Sequence, residues 1–227
     1  MRTLATGLIG IVVLGAGLVL PAHPADAAPE PHELVEKARF TAERILAQTD
    51  YKEVRNWVRK AKAVLIVPSL LKAGFVIGGE GGSGVLLSRD RDRGWSDPAF
   101  YTLGAGSIGM QFGVQDSEVL FVIMTDKGLE AMLDKHVKLG ADASIAAGPM
   151  GAGVEGATTA NLGADILSYS MTRGAFGGVS FEGSVAVERD DWNRIYYGKG
   201  ATPRGIVTER KFTNPHAAGL RRALEVR

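Results

Sequence analysis

Residues 77–87 read Ile-Gly-Gly-Glu-Gly-Gly-Ser-Gly-Val-Leu-Leu, and they follow an apolar segment, Ala-Val-Leu-Ile-Val, at residues 63–67. Aliphatic and β-branched residues favour strands. Glycine inside a strand normally weakens it, and it is tolerated where a sheet bends sharply or where two backbones approach closely. This stretch therefore predicts strands that belong to a strongly curved sheet.

The same composition continues along the chain. Glycine supplies 30 of the 227 residues, close to twice its average share of roughly 7%. The strand at 63–67 is expected to end at Pro68, because proline cannot donate to a ladder. Further segments rich in strand formers lie at 75–77, 84–87, 100–103, 119–124, 164–171 and 178–187. We predict an α+β fold: a strongly curved, mostly antiparallel, glycine-rich sheet or barrel with the N-terminal helices packed outside.

Two helices are expected before the strands. The first has apolar residues on one face at helical spacing, namely Leu34, Val35, Ala38, Ala42, Ile45 and Leu46. The second begins with a capping box of Asp50 and Glu53, and its apolar positions are Val54, Trp57, Val58 and Ala61. Shorter helices are predicted at 126–134, capped by Asp126, and at 190–197.

The predicted organisation is one domain at 33–212, with helices at 33–62 and a β-rich body at 63–187. A C-terminal helix or tail occupies 213–227, and Asn214-Pro215 opens it as N-cap and first helical residue. A signal peptide is expected at 1–27, because Arg2, an apolar stretch and an Ala-x-Ala site follow one another. An uncleaved membrane anchor is the alternative. Residues 28–32 form a spacer, and the product is expected to be exported, periplasmic or secreted, and peripheral to a membrane.

Composition and motifs exclude several classes of function. The 26 Lys+Arg and 25 Asp+Glu residues leave almost no net charge, so no nucleic-acid partner is expected. The chain has no cysteine, which removes disulfides and thiolate chemistry. Three Gly-x-Gly-x-x-Gly matches, starting at Gly79, Gly104 and Gly151, are not followed by a helix, as a dinucleotide site requires. We therefore expect no enzymatic activity, no cofactor and no metal.

Two groups of polar residues have side chains that could form a site, but their surroundings favour a structural role. His136 is interpreted as an exposed strand or loop residue. Asp90, Asp92 and Asp97 resemble half of a calcium loop but lack its bidentate glutamate, and arginines interleave with them. This segment is interpreted as a charged hairpin tip.

The candidate binding residues are basic and lie on the two leading helices. One face of the second helix carries a cationic stripe of Lys52, Arg55, Arg59 and Lys62. On the first helix Phe40 falls on the polar side, between Lys37 and Arg44. An aromatic residue flanked by cations suits the headgroup boundary of a membrane. The alternative is a solvated charged face, with Phe40 covered by a neighbouring element.

Several segments resemble the SYLF lipid-binding domain family. The resemblance covers about residues 35 to 208 and is carried by residues 68–85, 95–101, 139–149, 164–170, 181–184 and 193–198. It implies a non-enzymatic domain that binds anionic phospholipids. Eukaryotic members recognise phosphoinositides through an amphipathic N-terminal helix, and some bind actin. The predicted export places the chain where phosphoinositides and actin are not expected. From the resemblance we therefore expect only lipid binding by the N-terminal helical surface.

The leading hypothesis is therefore reversible docking on anionic phospholipid surfaces through Lys37, Phe40, Arg44, Lys52, Arg55, Arg59 and Lys62. One alternative is a carrier that encloses an apolar ligand within the curved sheet. Another is a scaffold of the cell envelope that binds a protein partner through the same helices. The oligomeric state and the lipid headgroup stay open.

Overall fold

The computed structural model describes residues 30–48, 52–74, 77–108, 113–148, 163–172 and 181–226. The predicted signal peptide and Asp50 lie outside these ranges. Five α-helices are described: α1 (Pro31–Ala47), α2 (Lys52–Lys60), α3 (Asp126–Met132), α4 (Asp190–Tyr197) and α5 (Ala218–Ala223). A π-helical turn covers Arg204–Thr208, and a 3-10 turn covers Pro215–Ala217. None of the helices in the described ranges is long and apolar enough to cross a bilayer.

Nine described strands form one curled, mostly antiparallel sheet, as the sequence predicts. They are β1 (Ala63–Gly74), β2 (Ile77–Asp90), β3 (Gly94–Trp95), β4 (Ala99–Ile108), β5 (Gly113–Ile123), β6 (His136–Lys138), β7 (Ile145–Ala147), β8 (Ile166–Thr172) and β9 (Val185–Glu188). Their spatial order is β6-β9-β4-β2-β1-β5-β8-β7, and β3 pairs with β2. Only the β7–β8 pair is parallel among the described pairs.

Both faces of the central strands are buried. On β1, Val64 and Ile66 point to the face covered by α1, α2, α4 and α5, whereas Leu65 and Val67 point to the other face. This alternation follows from the period of two of a pleated strand. The second face packs against α3 and the π-helical turn, and aromatic and aliphatic side chains such as Phe121, Phe181 and Ile206 fill it.

The expected end of the first strand at Pro68 is wrong, because β1 continues to Gly74. The register of β1 against β2 and β5 shifts by one residue between Ile66 and Leu71. This β-bulge accommodates Pro68, which cannot donate a ladder hydrogen bond. A Cβ atom on Gly84 of β2 would lie 2.8 Å from the carbonyl oxygen of Ile66. Glycine is therefore needed there because the bulged backbone approaches closely.

Helix boundaries agree with the sequence at α4, which spans the predicted residues 190–197. Asn214 caps the turn at Pro215–Ala217 by accepting from the N–H of His216 at 3.0 Å, as predicted. For α3 the predicted cap is wrong by one residue, because Thr125 is the N-cap and its hydroxyl accepts from the N–H of Gly128. The helix also ends at Met132, two residues before the predicted end. α2 ends at Lys60, so Lys62 lies beyond the helix.

Candidate functional site: two basic helices and an arginine cleft

Helix α1 presents Phe40 to solvent. Its apolar face is buried, with Val35, Ala38 and Ile45 fully covered, so the periodicity of the sequence correctly predicts which side faces the sheet. Phe40 is 50% exposed, and the guanidinium carbon of Arg39 lies 4.0 Å from the centre of its ring. The alternative in which a neighbouring element covers Phe40 is therefore wrong.

The predicted cations of α1 each have an acidic partner. Lys37 Nζ lies 2.7 Å from Glu33, and both side chains are more than half exposed. Arg44 Nε donates to Glu118 Oε2 at 3.0 Å, and its Nη2 contacts the other carboxylate oxygen. Glu118 lies on β5 and is buried, so Arg44 ties the end of α1 to the sheet while about half of its side chain stays exposed.

Helix α2 is bonded to the end of α1 through Arg55. Arg55 Nη1 donates to the carbonyl oxygens of Leu46 at 2.8 Å and Gln48 at 3.1 Å. Cations near a helix C-terminus satisfy carbonyls that have no partner within the helix. The side chain of Lys52 lies outside the described residues. Arg55 therefore fastens the two helices together, a role that its place in a cationic stripe does not reveal.

Helix α2 ends in two exposed cations. Arg59 and Lys60 are exposed; the Arg59 guanidinium contacts the side-chain oxygen of Asn56, and Lys60 Nζ lies 5.8 Å from the centre of the Trp57 ring. Arg89 of β2 contacts the carbonyl oxygen of Arg59 and lies 6.0 Å from the Trp95 ring. Arg59, Lys60 and Arg89 are called the basic end below.

Lys62 is not part of the basic end, because it lies beyond the end of α2. Its backbone N–H donates to the carbonyl oxygen of Ile123 at 2.8 Å. This bond extends the pairing of β1 with β5 by one residue. Its Nζ pairs with Asp126 of α3 at 2.9 Å, where the carboxylate is largely exposed. The structure thus separates the predicted set into Lys37 and Phe40 on α1, the anchors Arg44 and Arg55, Arg59 at the basic end, and Lys62 beside α3.

The charged hairpin tip is confirmed for Asp90 and Asp92, but the prediction is wrong for Asp97, which lies after β3 and is buried. β2 and β3 enclose a turn at residues 91–93, and Asp90 Oδ1 accepts from the N–H groups of Asp92 at 2.9 Å and Arg93 at 3.0 Å. The N–H groups of Arg93 and Asp92, together with the Arg93 guanidinium, lower the pKa of Asp90 to about 2. His136 is exposed on β6, as predicted. Among the described residues no group of three or more His, Asp or Glu is placed to hold a metal ion.

A cleft beside this hairpin contains arginines that sequence spacing did not single out. Its volume is about 600 Å³, and Arg93, Arg210 and Arg221 line it together with Trp95 and Asp97. We call it the arginine cleft. Trp95 also lines a neighbouring cleft with Arg59 and Arg89, so the arginine cleft adjoins the basic end. The three arginines are far apart in the chain and only the fold brings them together.

Two of these arginines are held by internal contacts. Arg210 has a left-handed backbone, φ 57°, and its guanidinium donates to the carbonyls of Gly94 at 2.9 Å and Val207 at 3.2 Å. Burial, and secondarily the nearby Arg93, lower the pKa of Arg210 from its usual value. Arg221 contacts Asp97, a buried carboxylate whose other oxygen accepts from the N–H of Asn214 at 3.0 Å.

Comparison with known proteins places this curled sheet and its helices in a family. The family described as "Ysc84: Las17-binding protein actin regulator" matches residues 104–227, which is more than half of the chain. The chain belongs to the Ysc84 family, and the resemblance to SYLF domains is confirmed.

Curated relatives agree with this assignment. "LAS seventeen-binding protein 3" and "Protein YSC84" of Saccharomyces cerevisiae are each 34% identical over 173 residues, which is 75% of this chain and 38% and 37% of those proteins. Human "SH3 domain-containing YSC84-like protein 1" is 34% identical over 162 residues, 67% of this chain and 47% of that protein. The chain thus spans less than half the length of these relatives.

Proposed function

We propose that the protein is a non-enzymatic, exported, peripheral membrane protein that binds anionic phospholipid surfaces through its two leading helices. The candidate residues of this surface are Lys37, Phe40, Arg44, Lys52, Arg55, Arg59 and Lys62. Of these, Arg44 and Arg55 also hold the fold, and Lys62 lies just beyond α2. The observation that carries the proposal is the half-exposed Phe40 on a helix whose opposite face is buried, next to a second helix with an exposed basic end.

The two helices contribute differently to such a surface. On α1 the cations Lys37, Arg39 and Arg44 stand beside Glu33, Glu36 and Glu43, so the helix has little net positive charge. The sequence of α2 contains four cations, Lys52, Arg55, Arg59 and Lys60, and a single acid, Glu53. Each cation near an anionic bilayer contributes about 1 kcal/mol before screening. We therefore assign the electrostatic attraction to α2 and the apolar contact to Phe40.

Vesicle flotation tests the proposal in two ways, by substituting charged residues and by raising the salt concentration. The double substitution Arg59→Gln and Lys60→Gln is expected to weaken binding to vesicles with phosphatidylserine about thirtyfold at low salt, since two cations contribute roughly 1 kcal/mol each. Wild-type binding should also fall as salt rises, because the Debye length is only about 8 Å at physiological strength. Arg194→Gln with Lys199→Gln, two exposed cations elsewhere, is the matched control.

The same assay also tests the apolar contact of Phe40. Phe40→Ala should weaken flotation on anionic vesicles while the melting temperature stays unchanged, because half of this side chain is already in water. Equal flotation of the wild type on purely neutral vesicles, or no flotation on either kind, would contradict the proposal. So would equal losses in the basic-end variant and in its control.

A second candidate function is binding of a protein partner as a scaffold of the cell envelope. It is favoured by the family description and by the name of one yeast relative, "LAS seventeen-binding protein 3". Binding of a purified partner that persists after delipidation and at high salt would favour this function over lipid docking. The carrier hypothesis has less support, because side chains of the protein itself pack the described part of the second sheet face.

A further inference from the structure

We propose that the arginine cleft is a binding site for a phosphate group, either of a soluble phosphate compound or of a lipid headgroup. Arg93, Arg210 and Arg221 line it from three separate segments of the chain. Guanidinium groups present planar, paired donors that match phosphate oxygens. This inference stands on the cleft alone and does not require that α1 and α2 bind membranes.

Donors remain after the internal contacts are counted. A guanidinium has five N–H groups. In Arg210 the described contacts use Nε and Nη2, with Val207, Gly94 and Ser88 as acceptors, so Nη1 keeps both of its N–H groups. Arg221 uses Nη1 toward Asp97, and Arg93 uses Nη2 toward Asp90 at 3.1 Å. Each arginine therefore still has unused donors among the contacts of the described residues.

The charge of the cleft favours an anion. Three guanidinium groups face two carboxylates, Asp97 in the wall and Asp90 behind Arg93, which leaves one positive charge in excess. Burial and, after it, the charge of Arg93 lower the pKa of Arg210, so Arg93 and Arg210 are close enough to repel one another. A bound phosphate would offset this repulsion because it attracts both groups.

The arginines are positioned before any ligand arrives. Backbone carbonyls hold Arg210, and Asp97 holds Arg221 while it accepts from the N–H of Asn214. Trp95 is fixed by its indole N–H, which donates to Leu224 at 3.0 Å. Little side-chain entropy is then lost on binding. Arg93, whose side chain is 55% exposed and pairs with Asp90 through Nη2, is the most exposed of the three.

Titration with inorganic phosphate and with glycerol 3-phosphate, followed by backbone NMR shifts, tests the site on the full chain. Shifts are expected at residues 93–97 and 210–221. Arg93→Gln should weaken binding about tenfold, since a hydrogen bond to a charged group contributes roughly that factor. Arg210→Lys keeps the charge but loses the planar, paired donors of the guanidinium, and it should weaken binding as well. Arg194→Gln removes an exposed charge elsewhere and should have no effect.

Absence of phosphate-induced shifts in the wild type, or equal weakening by Arg93→Gln and Arg194→Gln, would overturn the site. Flotation on phosphatidic acid vesicles then identifies the source of the phosphate. If Arg93→Gln lowers both soluble binding and flotation, the site takes a lipid headgroup; if it lowers only soluble binding, the site takes a free phosphate compound. A wild type that floats but shows no phosphate-induced shift overturns this inference and leaves the proposed membrane binding intact.

Discussion

Helices α1 and α3 are attached to the sheet by buried carboxylates, whereas α2 is attached in another way. Glu118 of β5 binds Arg44 of α1, and Asp165, just before β8, binds the first turn of α3. Among the described side chains α2 has no such contact with the sheet: Val54 and Val58 are buried in the core, and Arg55 bonds carbonyls of α1. α2 is therefore the leading helix whose basic residues are least committed to holding the fold.

Basic residues on the two leading helices therefore have different roles, although the sequence shows them in similar patterns. A cation beside a buried carboxylate compensates a charge that would otherwise be costly to leave unpaired. A cation beside an exposed carboxylate contributes little, because water competes for both groups. Arg44 belongs to the first kind and Lys37 to the second. Three substitutions test this distinction.

The largest effect is expected at Asp165. Its carboxylate accepts from Thr125 Oγ1 at 2.6 Å, Ser144 N–H at 3.0 Å and Lys127 Nζ at 3.1 Å. Burial opposes its ionisation, but these hydrogen bonds outweigh burial and hold the pKa of Asp165 well below its ordinary value. Asp165→Ala should lower the free energy of unfolding by about 3 kcal/mol at neutral pH, because several donors lose their acceptor.

The pH dependence of that loss has a fixed sign. A carboxylate whose pKa is lower in the folded than in the unfolded state stabilises the fold at pH values above its unfolded pKa. This stabilisation is lost as the pH falls. In urea unfolding, the difference between wild type and Asp165→Ala should therefore shrink from about pH 5 downward. Asp126→Ala, at an exposed carboxylate of the same turn, should cost less than about 0.5 kcal/mol. A pH-independent difference would contradict the assignment.

An intermediate effect is expected at Arg44. Arg44→Ala should lower the free energy of unfolding by about 2 kcal/mol, because buried Glu118 loses its partner. Lys37→Ala removes one cation from the same helix and should cost less than about 0.5 kcal/mol, since its pair with Glu33 is exposed. Denaturant unfolding of both variants measures this directly. Equal losses would show that burial of the carboxylate does not separate the two pairs.

The smallest effect on stability is expected at Arg55. Arg55→Ala should cost about 1 kcal/mol, because the carbonyls of Leu46 and Gln48 can bind water instead. Amide hydrogen exchange of α2 should accelerate relative to α1, since this contact fastens one helix to the other. Arg59→Ala is the control on the same helix, and its exchange pattern should match the wild type. Unchanged exchange in Arg55→Ala would mean that the apolar contacts of α2 suffice.

Local patterns were enough to predict much of the fold. The buried face of α1 follows from its helical periodicity, and the bounds of α4 were predicted residue for residue. Strand composition and dense glycine predicted a curled antiparallel sheet, which is confirmed. The continuation of β1 past Pro68 was missed, because a bulge depends on room left by residues of the partner strand, here Gly84 of β2.

The candidate site was less predictable. The exposure of Phe40 follows from its place on the polar face of α1, but the partners of the cations do not. Glu118 is 74 residues from Arg44 in the chain, and no local spacing links them. The arginine cleft was missed for the same reason, since Arg93 and Arg210 meet only after the C-terminal segment returns to the β2–β3 hairpin.

By itself the sequence determined the family, the α+β class and the side of each leading helix that enters the core. These depend on motifs and periodicities that act within a few residues or along one element. Only the tertiary structure decided which basic residues are committed to buried carboxylates or carbonyls, which stay exposed, and which converge in a cleft. The reason is physical: the contribution of a charge depends on its distance to other charges and on its access to water, and both are set by long-range packing.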